Sequence, residues 1–201
     1  MTSPASPDTS PVRESILANG QRIIGGKGFS AVGLNEILLA SGVPKGSFYH
    51  YFGSKEAFGE AMLERYFADY LAELDATLAV PGLDMAQRLM NYWKNWQSTQ
   101  SLDDCQGKCL AVKLGAEVAD LSESMRMAMV RGTAGITQRL AHAIAAGVAE
   151  GSVSVDQSPS AVAQSLYQLW LGASVMVKIA RNAQPFDIAM ASTRQILHVT
   201  G

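Results

Sequence analysis

Cys105 and Cys109 are the only cysteines of this 201-residue chain, and they stand four apart in Asp104-Cys105-Gln106-Gly107-Lys108-Cys109-Leu110-Ala111-Val112-Lys113. A thiol reacts or binds metal as its thiolate, and a helix N-terminus or a neighbouring cation favours that form. Lys108 and Lys113 supply local positive charge, and the helical pattern that begins at Leu110 places a helix start beside Cys109. A redox switch fits this better than zinc, because two thiolates with no nearby histidine do not complete a tetrahedral site. The plainer reading is that a free cysteine packs as a small hydrophobe. That reading is preferred for Cys105, and Cys109 stays open between the two. A pair at i, i+4 on a helix is poorly suited to disulfide geometry. Glu117 and Asp120 form a carboxylate pair near the same helix, for which solvated or capping roles are preferred over acid–base work. His142 and His198 have no ligand-spaced partners. No metal, cofactor or enzymatic activity is expected.

A second group of residues suits nucleic acid. Leu34, Ile37 and Leu38 fall on one helical face, Gly42 suits the left-handed residue that ends a helix, and Pro44 suits the first turn of the next. The next segment, Lys45-Gly46-Ser47-Phe48-Tyr49-His50-Tyr51-Phe52, is short, cationic and aromatic. Two short helices meeting at a glycine turn have the layout of a helix-turn-helix, whose second helix enters the major groove. Lys45, Ser47, Tyr49 and His50 are expected on its exposed face. Lys45 can meet a phosphate or a guanine edge, Tyr49 and His50 can donate to phosphates, and Ser47 can reach a base. Gly46 permits close approach, and Lys55 opens the following helix where backbone N–H groups also face phosphate. Phe48 and Phe52 are better read as core.

Charge is consistent with contact at one end. The whole chain carries −2, but Arg13 to Lys55 carries five cations against two carboxylates, a net of +3. From Glu56 onward the net is −4. Phosphate contact depends on such local positive charge.

These residues must be held by helices, because no alternating strand pattern stands out and the expected fold class is all-α. Residues 1–12 read as a disordered Ser-, Thr- and Pro-rich arm without the apolar core of a signal peptide. Residues 13–55 form the helix-turn-helix domain, opened by an amphipathic helix with Ile16, Leu17, Ile23 and Ile24 inward. Residues 56–201 form a second, helical domain, to which the family resemblance described below assigns regulation and dimerisation. Ser54 is the expected N-cap of a long helix carrying Phe58, Met62, Leu63 and Tyr66, and Pro81-Gly82 ends its region. Trp93, Trp96, Tyr92 and Trp170 are assigned mainly to the core. The segment from Ser160 to Leu197 is the expected dimer interface, with Gly172, Ala173 and Ser174 allowing close helix approach in a four-helix bundle. No apolar run spans a bilayer, and a cytoplasmic protein is expected.

The run from Gly28-Phe29 through Pro44–Phe52 to Ser54-Lys55-Glu56 closely resembles the DNA-binding domain of the tetracycline-repressor family. The resemblance implies a homodimeric, all-helical regulator with a ligand-sensing body. Gly33 departs from the pattern: family members often carry Ser or Thr there, and it offers phosphate no hydroxyl. Cys109 to Val118, Asp120 to Arg126, Leu169 to Ser174 and Lys178 to Arg181 further resemble one branch, the bacterial repressors that respond to N-ethylmaleimide, bleach and reactive aldehydes. That resemblance implies a sensing cysteine at Cys109, assisted by a lysine at Lys178. Cys105 is retained as a possible resolving thiol. Without the resemblance, Lys178 reads as a charge that snorkels to solvent.

The expected function is therefore a repressor dimer that reads a pseudo-palindromic double-stranded operator and releases it when a small electrophile or oxidant modifies Cys109. A reversible small-molecule inducer on the same fold is the nearest alternative. A thiol-dependent enzyme and a helical adaptor without DNA binding are more distant ones.

Overall fold

The computed structural model describes residues 10–100 and 109–199, and among them all regular structure is helical. The helices are α1 (Pro11–Lys27), α2 (Leu34–Ser41), α3 (Lys45–Phe52), α4 (Lys55–Leu78), α5 (Met85–Thr99), α6 (Leu110–Leu121), α7 (Glu123–Glu150), α8 (Pro159–Ala180) and α9 (Gln184–Ile196).

The head is α1–α3, packed around Ile16, Leu17, Ile24, Ile37 and Phe48, each fully shielded from solvent. Gly42 ends α2 at φ 64° and ψ 29°, and its N–H meets the carbonyls of Leu38 and Leu39. A Cβ would strain that left-handed residue, so the angle between α2 and α3 depends on this glycine. Pro44 is the residue just before α3 rather than part of its first turn. Ile23 is only partly buried, at the edge of this core.

One start differs from expectation. Helix α1 begins at Pro11, so Pro11 and Val12 belong to the head and not to an arm. Proline at the first helical position loses no hydrogen bond there and brings its φ preset, which extends the helix toward the amino end. Pro185 likewise lies within the first turn of α9.

Ser54 caps α4 by accepting from the Ala57 N–H at 3.0 Å. Helix α4 runs from the head into the body, where it lies along α7. Arg131 pairs with Glu64 at 2.7 Å and Arg139 with Asp75 at 2.7 Å across that contact. The body core is aromatic. Trp93 stacks on Trp170 with centroids 5.0 Å apart, and Phe186 continues the stack at 5.8 Å. The indole N–H groups of Trp96 and Trp170 donate to Ser174 and Thr193, each at 2.9 Å. These buried bonds satisfy polar tips that would otherwise cost free energy. None of the described helices is long and apolar enough to cross a membrane.

Candidate functional site: a reading head and a buried thiol

In α3, Phe48 and Phe52 are buried against Phe58 of α4, with ring centroids 5.4 and 5.1 Å from it. That anchors one side of the short helix and turns the other outward. Lys45, Gly46, Tyr49 and His50 are exposed, and Ser47 is half-buried. The Lys45 ammonium rests 5.7 Å from the Tyr49 ring centroid. A Cβ at Gly46 would meet nothing within 4 Å, so no contact among the described residues requires a glycine there. Tyr51 is tied back to the head by a 3.0 Å hydrogen bond between its hydroxyl and Ser10.

Lys55 is placed differently from the expectation of a phosphate contact. Its ammonium donates to the Phe29 carbonyl at 2.9 Å and lies 4.5 Å from the Phe29 ring centroid. The turn between α1 and α2 folds back over the start of α4 and takes up this charge.

Cys109 is the N-cap residue of α6 and is buried. Burial pushes its thiol above the ordinary value. Against that act the first-turn N–H groups of Val112 and Ala111, the Tyr66 hydroxyl and the Lys178 ammonium. A helix N-terminus and a cation are both present, but desolvation outweighs them. The cation is Lys178, carried by α8 where it packs on α6. Lys113 instead acts on Glu117. Cys105 and Lys108 lie outside the described residues. Among the described residues no cluster could hold a metal ion.

A ring of phenols surrounds the sulfur, which sequence reading did not assemble. Tyr66 bonds to Cys109, Tyr70 and Tyr92 share a 2.8 Å hydrogen bond, and the buried Tyr167 hydroxyl has no hydrogen-bond partner among the described residues. Burial first, then mutual repulsion with Cys109 and one another, raises the hydroxyls of Tyr66 and Tyr70 above the ordinary phenol value; Tyr167 is raised by burial and by Cys109. They remain neutral donors. A cavity of about 640 Å³ adjoins the site, bordered by Cys109, Tyr66, Tyr70, Tyr92 and Trp96 and reaching Arg22 of α1. Tyr92 and Trp96 thus serve both core and cavity wall.

The small residues of α8 do not share a face. Ala173 and Ser174 point into the protomer, where Ser174 holds Trp96. Only Gly172 is exposed, and it lines up with exposed Val175, Met176 and Ile179.

The description "Bacterial regulatory proteins, tetR family" matches residues 16–62, and "Tetracyclin repressor-like, C-terminal domain" matches residues 86–193. The chain is 41% identical over 185 residues to the HTH-type transcriptional repressor NemR of Escherichia coli strain K12, covering 92% of this chain and 93% of that protein. The chain belongs to the TetR family. It is also 33% identical to the HTH-type transcriptional repressor DhaR of Mycobacterium sp. strain GP1, over 88% of this chain and 87% of DhaR. The crystal structure of the reduced form of E. coli NemR superposes with a TM-score of 0.88 at 42% identity, covering 92% of this chain and 96% of that one. Family membership establishes a DNA-binding transcriptional regulator of all-α fold and agrees with the expectation of a binder rather than an enzyme.

Proposed function

We propose that this TetR-family regulator is a homodimeric repressor that releases a pseudo-palindromic operator when Cys109 is modified by a small electrophile or oxidant. The observation that carries this is a free thiol at the start of α6, beside the Lys178 ammonium and neutral tyrosine donors, on the border of a cavity. An electrophile entering the cavity is attacked by the small thiolate fraction of Cys109. A maleimide takes the sulfur at its double bond and a proton at the neighbouring carbon; an aldehyde gives a hemithioacetal. Oxidation by hypochlorous acid gives a sulfenyl chloride, with oxygen leaving as hydroxide. The Lys178 amine, once deprotonated, displaces chloride to form a sulfur–nitrogen bond.

Lys45, Gly46, Ser47, Tyr49 and His50 are the proposed DNA-reading residues, one set per half-site. Lys55 takes that role only where the Phe29 turn gives up its ammonium. The exposed face of Gly172, Val175, Met176 and Ile179, with Ile188 of α9, is the proposed dimer surface. Two heads held at fixed spacing fit half-sites one helical turn apart, or a multiple of that, and lose fit when the spacing changes.

The test is selection of duplexes from random DNA, followed by binding before and after N-ethylmaleimide treatment. Modified protein is expected to lose affinity, and Cys109→Ser to keep it under the same treatment. Equal loss in the mutant overturns Cys109 as sensor. The cavity supports a second reading, a reversible inducer that leaves Cys109 untouched. Intact mass then shows no adduct on protein released by the inducer.

A further inference from the structure

Glu117 lies on α6 two turns beyond Cys109. Its carboxylate leaves the body and accepts two backbone N–H groups from the head: Phe29 at 3.0 Å and Ser30 at 2.6 Å. These residues form the turn between α1 and α2, 88 and 87 positions away in sequence. The turn is shaped for this carboxylate. Gly28 holds φ 101°, and a Cβ there would stand 3.2 Å from Glu117 Oε2. The Phe29 carbonyl and ring are held from the other side by Lys55 of α4. One head turn is thus gripped by an anion from α6 and a cation from α4.

We infer that Glu117 is the positioning residue through which the α6 helix that carries Cys109 sets the orientation of the DNA-reading head. The inference rests on the reading of Cys109 as sensor. A helix is stiff along its axis, so displacement of its first turn is carried to a side chain two turns on. Two N–H groups aimed at one carboxylate fix both position and rotation of the turn, and charge-assisted bonds of this kind are stronger than neutral ones. The Phe29–Ser30 turn leads directly into α2, which carries α3 through Gly42. A shift at Glu117 therefore moves the reading helix and not merely a loop. The contact is present with Cys109 as a free thiol, so it belongs to the unmodified state.

Glu117→Gln tests this without changing side-chain size. The amide can accept from one N–H but opposes the other with a donor. Binding to the selected operator is measured for unmodified and fully N-ethylmaleimide-modified protein, with intact mass confirming equal Cys109 adduct in both chains. Wild type is expected to weaken by at least about tenfold on modification, within the usual range of allosteric coupling. In Glu117→Gln the two affinities are expected to agree within about twofold. A merely structural role lowers the melting temperature and leaves the wild-type ratio intact, and that outcome overturns the inference. Wild type that shows no weakening counts against the sensor reading, not against Glu117. A second measurement uses wild type alone: amide exchange at Phe29 and Ser30 is expected to speed up by at least about tenfold on modification, an opening scale set by the same coupling. Unchanged exchange alongside lost operator affinity routes the signal elsewhere and overturns the inference.

Discussion

Cys109 should react slowly at neutral pH and faster with each step toward alkali. An unperturbed thiol is a few per cent ionised at pH 7, and each unit of upward shift lowers that tenfold. Burial moves Cys109 upward despite Val112, Tyr66, Ala111 and Lys178, so its thiolate fraction at pH 7 falls below that of an unperturbed thiol. The perturbation that isolates one contribution is Lys178→Met, which keeps the stem and removes the charge. Lys178 is half-exposed and is the weakest of the groups that lower the thiol, so its charge is worth about 1 kcal/mol, the scale of a solvent-screened pair, and its loss gives a roughly fivefold slower reaction. The assay is the second-order rate of N-ethylmaleimide addition, followed by intact mass on a Cys105→Ser background. The logarithm of the rate should climb with near-unit slope from pH 7 to about 8, below the ordinary thiol value. Lys178→Met should run parallel and lower. A plateau below pH 8 would refute the account of a thiol held protonated by burial. An unchanged rate in Lys178→Met would remove that ammonium from the electrostatics of the sulfur.

Lys45→Ala should weaken binding to all duplexes by a similar factor and reduce the log–log salt slope by about 0.9, one phosphate's worth; salt titration of the selected operator reads it. Ile179→Asp, in the exposed stripe of α8, should leave monomers at micromolar concentration in sedimentation and abolish operator binding, with helicity unchanged. Phe48→Ala should cost about 3–5 kcal/mol in urea unfolding, because its ring is fully buried beneath the reading helix. Burial works against the Glu117 charge, but the Ser30 and Phe29 donors and Lys113 outweigh it and hold the carboxyl below its ordinary value. The grip on the head is therefore complete above the ordinary carboxylate range and lost only as pH falls through the lowered value. Protection of the Phe29 and Ser30 amides should persist to mildly acidic pH and vanish below it.

The parts of this molecule legible in its sequence were those settled by near neighbours. Gly42 and Ser54 mark helix ends because the orphan backbone groups they satisfy lie within a few residues, and Pro81-Gly82 lies in the break between α4 and α5. Phe48, Phe52, Phe58 and Met62 show their inward face through helical spacing. Ala173 and Ser174 misled because α8 is apolar nearly all round; small size alone does not tell a packing face from an outward one. The Cys109 environment was half legible. The helix start was visible at Leu110, but desolvation depends on Tyr66, Tyr167 and Trp96 from three other helices. Glu117 was noticed as one of a carboxylate pair with Asp120, yet its partners are backbone groups of the distant Phe29 turn, and main-chain donors leave no trace in side-chain pattern. Lys178 came near Cys109 only through the family resemblance, because a single lysine after an apolar run carries no mark of what it faces.

On the proposed reading, the placement of Cys109 also accounts for how a small adduct would act on a distant duplex. The sulfur is buried at a helix start within a packed core, where inserting extra atoms costs typically about 1–3 kcal/mol. Coupling between sites in allosteric proteins is of the same size, so the strain available locally matches what release requires. An adduct has two ways to relieve it. It can extend into the adjoining cavity, whose far wall includes Ala18, Gln21 and Arg22 of α1, and so press on the head directly. It can instead displace the first turn of α6, which carries the change along the helix to the Phe29–Ser30 turn. Both routes end on the α1–α3 head, and neither passes through the aromatic stack of Trp93, Trp170 and Phe186 beside the proposed dimer face. In the proposed dimer the two heads would therefore change their separation while the two bodies stay joined, which is the condition for losing one operator spacing without losing the dimer.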